Sequence, residues 1–270
     1  MNRQQAVIQW GLWSLLYGFC FLMLLFLAAP IVIVLIVSFS DAEFVYFPPP
    51  GYTLRWYTGL IHVEGFIDSF LLSLRLALLV TGIALALGTA ASLGLTRFRF
   101  PGRALLNTFL MSPLIFPPII TGIALLQFFS TLGVTQAFFM LTVGHTVITI
   151  PYVVRTVTAS LQGLQVNLEE AARVLGATPW QAFRWITLPL IKPGLLAGGI
   201  FAFIISFDNF TISMWLKSAE YTPLPLRIFY YVENVMDPSV AAVSGSMILL
   251  SIILIVLTEK VVGLRRTVRI

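Results

Sequence analysis

Few residues in this chain have the type and spacing to do chemistry. His145 stands alone, with no Glu or His at metal-ligand spacing. Zinc would need three or four ligands, so a packed, hydrogen-bonded histidine is expected and no metal site. The sequence holds no G-x-x-x-x-G-K-[ST], no H-E-x-x-H and no G-x-S-x-G. That argues against triphosphate cradling, zinc proteolysis and serine hydrolysis, and no catalytic residue is expected. Two charges lie deep in apolar runs, Arg75 in SFLLSLRLALL and Asp208 in ISFDNFTISMW. Counted along continuous helices, both fall roughly 12–14 Å inside a membrane crossing. Charges at that depth are costly and either mark a solute pathway or neutralise one another, and both readings stand. Arg75 has the further option of snorkelling outward. Phe201, Thr211 and Trp215 lie one or two helical turns from Asp208 and offer cation–π and hydroxyl contacts to an amine.

A second group of charges sits in NLEEAARVLGATPWQAFRWITLP, residues 167–189, which reads as helical yet too polar for lipid. Asn167 is placed to N-cap a first helix, with Glu170 completing a capping box and Glu169 and Glu170 on the favourable end of the helix dipole. Gly176 supplies a stop. Thr178, Pro179 and Gln181 then start a second helix, which Pro189 is expected to end. The first helix presents Ala171, Ala172, Val174 and Leu175, and the second presents Trp180, Phe183, Trp185 and Ile186. Small residues beside aromatics suit a helix laid into a partner's groove, and equally an amphipathic helix on the lipid interface.

The elements that must position these groups are membrane spans. The 270 residues are 59% hydrophobic and 10% charged, which is a polytopic membrane composition and excludes a soluble domain. The single cysteine, Cys20, lies inside an apolar run, so no disulfide framework is expected. The first apolar run is too long for a signal-peptide core and lacks a clear small-residue cleavage site. Six stretches reach the roughly 20 apolar residues that a crossing needs. They are 13–37, 66–94, 105–129, 138–158, 194–216 and 241–262, within one all-α transmembrane domain over 1–270. Arg3, Arg97, Arg99, Arg103, Arg155, Arg173, Arg184, Lys192, Lys260, Arg265, Arg266 and Arg269 fall on one side. Arg55, Lys217 and Arg227 fall on the other, with Asp41, Glu43, Glu64, Asp68, Glu220, Glu233 and Asp237. The positive-inside rule puts both termini and the 167–189 stretch in the cytoplasm. The formal charge of +5 thus encodes topology and is no nucleic-acid signal. Pro113, Pro117, Pro118 and Pro151 interrupt the third and fourth spans. The loop FVYFPPPGYTLRWYTGL, residues 44–60, is stiff and aromatic, reading as an interfacial anchor or as a landing surface for a delivering protein.

Glu170-Ala171-Ala172, Gly176 and Ile186-Thr187-Leu188-Pro189 stand at the spacing of the EAA loop of type I ABC importer permeases, which this chain resembles. FPPPGYTLRWY and SFDNF resemble stretches of the spermidine/putrescine branch, although Asn209 stands where those permeases often carry a second acid. The resemblance implies six transmembrane helices with cytoplasmic coupling helices in a bacterial inner membrane. It implies ATPase coupling through Glu169, Glu170, Ala171, Ala172, Gly176, Ile186, Leu188 and Pro189. The implied partners are a second homologous permease, two ATPase subunits that hold ATP and magnesium, an extracytoplasmic binding protein and membrane lipid. No cofactor on this chain and no nucleic acid are implied. The implied cargo is a small cationic solute, most readily a polyamine such as putrescine or spermidine. Iron, thiamine, opine and amino-acid-derivative importers share the architecture. An ion-driven secondary transporter is the rival from another class, disfavoured because neither repeat symmetry nor discontinuous helices in matching positions are evident.

Overall fold

The computed structural model describes residues 3–60, 63–164, 167–234 and 238–262. Among the described residues every regular element is helical, apart from one isolated antiparallel bridge between Ser40 and Tyr52. Three helices contain runs long and apolar enough to cross a membrane: α1 (Arg3–Val37), α3 (Phe66–Arg97) and α6 (Ala137–Gln162). The short α2 (Arg55–Leu60) lies between the first two.

Of the other three expected spans, 241–262 falls within the continuous helix α13 (Ser239–Val262) and two are broken. Residues 105–129 do not form one continuous helix: α4 (Arg103–Met111) and a 3-10 turn (Ser112–Leu114) meet α5 (Pro118–Thr131) at a bend of 106°. The cause is the Pro117-Pro118 pair. A residue before proline is pushed out of the helical region, and Pro117 adopts ψ 131° while Pro118 opens α5. Residues 194–216 are likewise discontinuous, split into α10 (Lys192–Phe207) and α11 (Thr211–Leu216); α10 has 16 residues, short of a full crossing by itself. Between α6 and α10 lie α7 (Asn167–Val174), α8 (Pro179–Ala182), a π turn (Phe183–Thr187) and α9 (Leu188–Leu190), and α12 (Leu224–Asn234) and α13 (Ser239–Val262) follow α11. Discontinuous helices are therefore present among the described residues. Arg265, Arg266, Arg269 and Asp237, used in the charge argument, lie outside the described residues.

The chain divides into two compact units. The first comprises Met1–Val63 with Tyr231–Leu250. Here the Ser38 hydroxyl meets the Tyr57 hydroxyl at 2.7 Å, and the Trp56 indole donates to the Ser40 carbonyl at 2.8 Å. Arg55 lies over Trp56 and donates to the Asp41 carbonyl at 2.9 Å. Trp56 and Tyr57 thus staple the proline loop to the end of α1, while Phe44, Tyr46, Phe47 and Tyr52 remain exposed.

The second unit comprises Glu64–Tyr230 with Ser251–Ile270. Its centre is the mutual packing of α3, α6 and α10. The buried face of α3 runs through Ser69, Ser73, Ala77, Val80, Ala84, Gly88 and Ser92, at helical steps of three and four. Small residues let backbones approach closely, the usual basis of helix packing in lipid. A side chain at Gly88 would strike Val153, and one at Gly198 would strike Thr156. Ser92 donates to the Val154 carbonyl at 3.2 Å and ties α3 to α6. Leu76, Val80, Phe129, Leu141, Ile212 and Leu216 form the apolar cluster that joins α3, α5, α6 and α11.

Candidate coupling and translocation sites

The polar stretch between α6 and α10 folds as an elbow. Helix α7 carries Glu169 and Glu170 in its first turn and Arg173 in its last, matched to the helix dipole. The Asn167 side chain, the expected cap, lies outside the described residues. Gly176 takes φ +92°, with hydrogen bonds from Gly176 to Arg173 and from Ala177 to Ala172. These two bonds make a Schellman motif, which satisfies carbonyls the helix end leaves free. Next, Gln181 N–H donates to the Thr178 hydroxyl at 3.3 Å, and Thr178 N–H donates to the Gln181 amide oxygen at 2.8 Å. That is the capping box expected from Thr178, Pro179 and Gln181.

Pro189 does not end the second helix, contrary to the sequence expectation. A proline ring clashes with the carbonyl four residues back and lacks a donor. Here the π turn Phe183–Thr187 widens the helix just before Pro189, with Leu188 N–H bonded to the Phe183 carbonyl, and the chain stays helical to Leu190. The direction changes at Ile191, where the segment Pro179–Leu190 meets α10 at 67°.

One side of the elbow is packed and the other is bare. Ala182, Thr187 and Ile191 are buried, and Ile186 and Leu188 are half-buried. Glu170, Ala171 and Pro189 are exposed and Ala172 is half-buried. Val174 and Leu175 are each 88% exposed, Trp180 69% and Trp185 74%. Glu169 points elsewhere. Its Oε1 accepts from Arg97 Nη2 at 2.6 Å and from the Thr187 hydroxyl. Arg97 lies at the end of α3, and no local sequence pattern links it to Glu169, 72 residues away.

The deep charges are placed differently from the sequence expectation. Asp208 is the C-cap of α10, exposed, with its N–H on the Ile204 carbonyl at 3.0 Å. The chain breaks immediately after it, so its depth cannot be counted along a continuous helix to residue 216. Phe207 instead packs edge-on against Phe70, near the start of α3, with ring centroids 5.9 Å apart. Arg75 is exposed too. Among the described residues the ion pairs are Arg55–Asp41 and Arg97–Glu169, so Asp208 and Arg75 do not neutralise each other.

Thr211 and Trp215 belong to α11, beyond the break, and Trp215 lays its indole over Gly122 of α5. Phe201 is 49% exposed and faces Tyr152, with centroids 6.3 Å apart. The single helical face expected to gather these residues about Asp208 is therefore interrupted. Asn209 has a structural duty, accepting from Ile212 N–H at 2.8 Å to start α11. His145 is fully buried between the two halves, with Nδ1 3.0 Å from the Ser206 hydroxyl and Nε2 3.1 Å from the Ser213 hydroxyl. It is the satisfied histidine the sequence predicts, and it clamps the broken helix on both sides. No cluster of metal-ligating side chains occurs among the described residues.

The described residues form a helical membrane fold with a bare elbow and a broken, clamped helix, and comparison with known proteins identifies the family. The chain belongs to the family described as binding-protein-dependent transport system inner membrane component, whose model matches residues 79–263. It is 30% identical over 242 residues to the spermidine/putrescine transport system permease protein PotC of Escherichia coli (strain K12), covering 90% of this chain and 91% of that one. It is 32% identical over 242 residues to the putrescine transport system permease protein PotI of the same organism, covering 87% and 84%. The molybdenum transport system permease protein ModB of that organism is 32% identical over 191 residues, covering 65% and 83%. Among solved structures, a bacterial ABC transporter involved in the import of alginate matches with TM-score 0.72 at 19% identity, covering 96% and 98%. This chain is thus an ABC importer permease, a multi-pass inner-membrane transport component and not a catalytic one.

Proposed function

We propose that the chain forms part of the membrane pathway of an ATP-driven importer for a small cationic solute, a polyamine such as putrescine or spermidine first among them. It would cross the membrane six times, near 13–37, 66–94, 105–129, 138–158, 194–216 and 241–262, with the broken α4–α5 and α10–α11 pairs each serving as one crossing. Both termini and the elbow would face the cytoplasm, where the arginines concentrate. The partners would be a second permease, two ATPase subunits that bind ATP and magnesium, and an extracytoplasmic binding protein.

The observation that carries this function is the bare face of the elbow. Two short helices, each with matched end signals, expose Glu170, Ala171, Val174, Leu175, Trp180 and Trp185 in a family whose description names binding-protein-dependent transport. Small and aromatic groups on a stiff support suit a groove in another protein, and the ATPase is the partner that import requires. In the assembled importer, Ala172→Cys is expected to crosslink to a cysteine in the ATPase subunit, with a yield that ATP changes. Labelling of that cysteine by lipid-phase reagents, with no crosslink at any tested position, would assign the elbow to the membrane surface.

The cargo follows from Asp208. An acid exposed at a break in α10–α11 attracts a cation, and PotC and PotI carry polyamine names. Asn209 contributes no second charge and is held by its cap to α11, which favours a solute of low charge among amines. Competition by putrescine, spermidine and molybdate for uptake into proteoliposomes separates the polyamine reading from a ModB-like one.

A further inference from the structure

Glu169 and Glu170 are neighbours in one helical turn, yet they face different surroundings. Glu170 is exposed beside Ala171, whereas Glu169 is half-buried and committed to two donors. Those donors come from two different segments. Thr187 lies in the π turn beyond Gly176 and is 1% exposed; Arg97 is the last residue of α3. A single carboxylate oxygen therefore joins three segments: the first arm, the second arm and the end of a core helix.

The join matters because it ties the two arms to each other across the Gly176 turn. Helix α7 has only eight residues, too few to be stable alone in water. Gly176 sits at positive φ with open space around it, a natural hinge. The Arg97 and Glu169 side chains retain 20% and 25% exposure, so solvent and salt screen their attraction less than at a fully exposed pair. Arg99 and Arg103, close by, are exposed and make no ion pair among the described residues. Helix α3 also packs on α10, whose C-cap is Asp208.

We propose that Arg97, Glu169 and Thr187 form a latch that makes both arms of the elbow and α3 move as one body. Arg97 is then a positioning residue, acting on transport through Glu169. The latch rests on the reading of the elbow as the ATPase-docking element, and its test separates the two. In the complete importer, in a Cys20→Ser background, spin labels on Arg99→Cys and Arg184→Cys report the distance between α3's end and the second arm. With the latch intact, that distance is narrowly distributed and ATP does not change it. Arg97→Gln is expected to lose the narrow distribution, and substrate moved per ATP falls by about fivefold or more, the lower end of a coupling free energy. The swap Arg97→Glu with Glu169→Arg restores the narrow distribution. Near-isosteric Thr187→Val cuts the second arm free without touching the ion pair, and it broadens the distance even where Arg97→Gln complexes fail to assemble. A wild-type distance that shifts with ATP overturns the latch, and so does a distribution as narrow in Arg97→Gln or Thr187→Val as in the parent. Failure of Ala172→Cys to reach the ATPase in the same complexes sinks the docking assignment instead.

Discussion

Individual residues in this permease carry loads that their neighbours do not share. Gly176 is one: a side chain there meets open space, so the cost of replacing it lies in the backbone. Holding an L-residue in the left-handed region costs about 1–2 kcal/mol, and a β-branched one resists it most. Gly176→Val is therefore expected to insert and assemble while moving less substrate per ATP, measured in proteoliposomes with a defined ATPase rate. Glu170→Lys should act alike, since it reverses charge in the first turn of α7. Asp208 is the second such residue. If it receives the solute, Asp208→Asn lowers cation uptake by roughly ten- to a hundredfold, because a contact to a charged group is worth about 1.5–3 kcal/mol. Asp208 and Arg75 form no ion pair, so adding Arg75→Leu is not expected to restore uptake. Recovery in the double variant would return both residues to a structural pair.

Among the elements, the decisive contacts are those of α3, α6 and α10. Their close approach leaves no room at Gly88, where Val153 already fills the space, whereas Gly82 on the same helix has nothing within 4 Å. Gly88→Leu is expected to lower the thermal stability of the detergent-purified protein by about 1–3 kcal/mol, the usual cost of overpacking. Gly82→Leu should leave the melting curve in place. Equal effects at both positions would mean that helix propensity, and not packing, sets the response. At the discontinuous α10–α11 pair, His145 takes the place of the missing helical continuity. Its two serine partners lie on either side of the break, so the imidazole fixes the geometry through which Asp208 is presented. The other broken span, between α4 and α5, has a local cause in Pro117 and Pro118.

For the whole molecule, the proposed topology is open to direct measurement. In a Cys20→Ser background, a cysteine at Ser218 should react with a membrane-impermeant maleimide added outside cells. One at Ala177 should react only once the membrane is opened. Reaction of Ala177→Cys from outside would invert the orientation and remove the elbow from any cytoplasmic ATPase. Arginines between the second and third spans and along the elbow carry the orientation argument. One of them, Arg97, also makes the ion pair that joins α3 to the elbow.

Where a feature is encoded within a few neighbouring residues, sequence alone determined it. The glycine stop at Gly176 and the Thr178–Gln181 capping box follow from local backbone chemistry, and both form as that chemistry requires. The apolar runs behind α1, α3 and α6 were equally legible, because a crossing needs only length and hydropathy. His145 was legible by elimination. Tertiary structure decided whatever depends on residues far apart or on which of two local tendencies wins. Pro189 looked like a helix end, but the preceding π turn absorbs it. Asp208 and Arg75 looked matched in depth only while 194–216 was counted as one helix; the break after Phe207 voids that count. The link from Glu169 to Arg97 could not be read at all, since charge pairing across 72 residues is fixed by how α3 and α7 are brought together, not by any spacing along the chain.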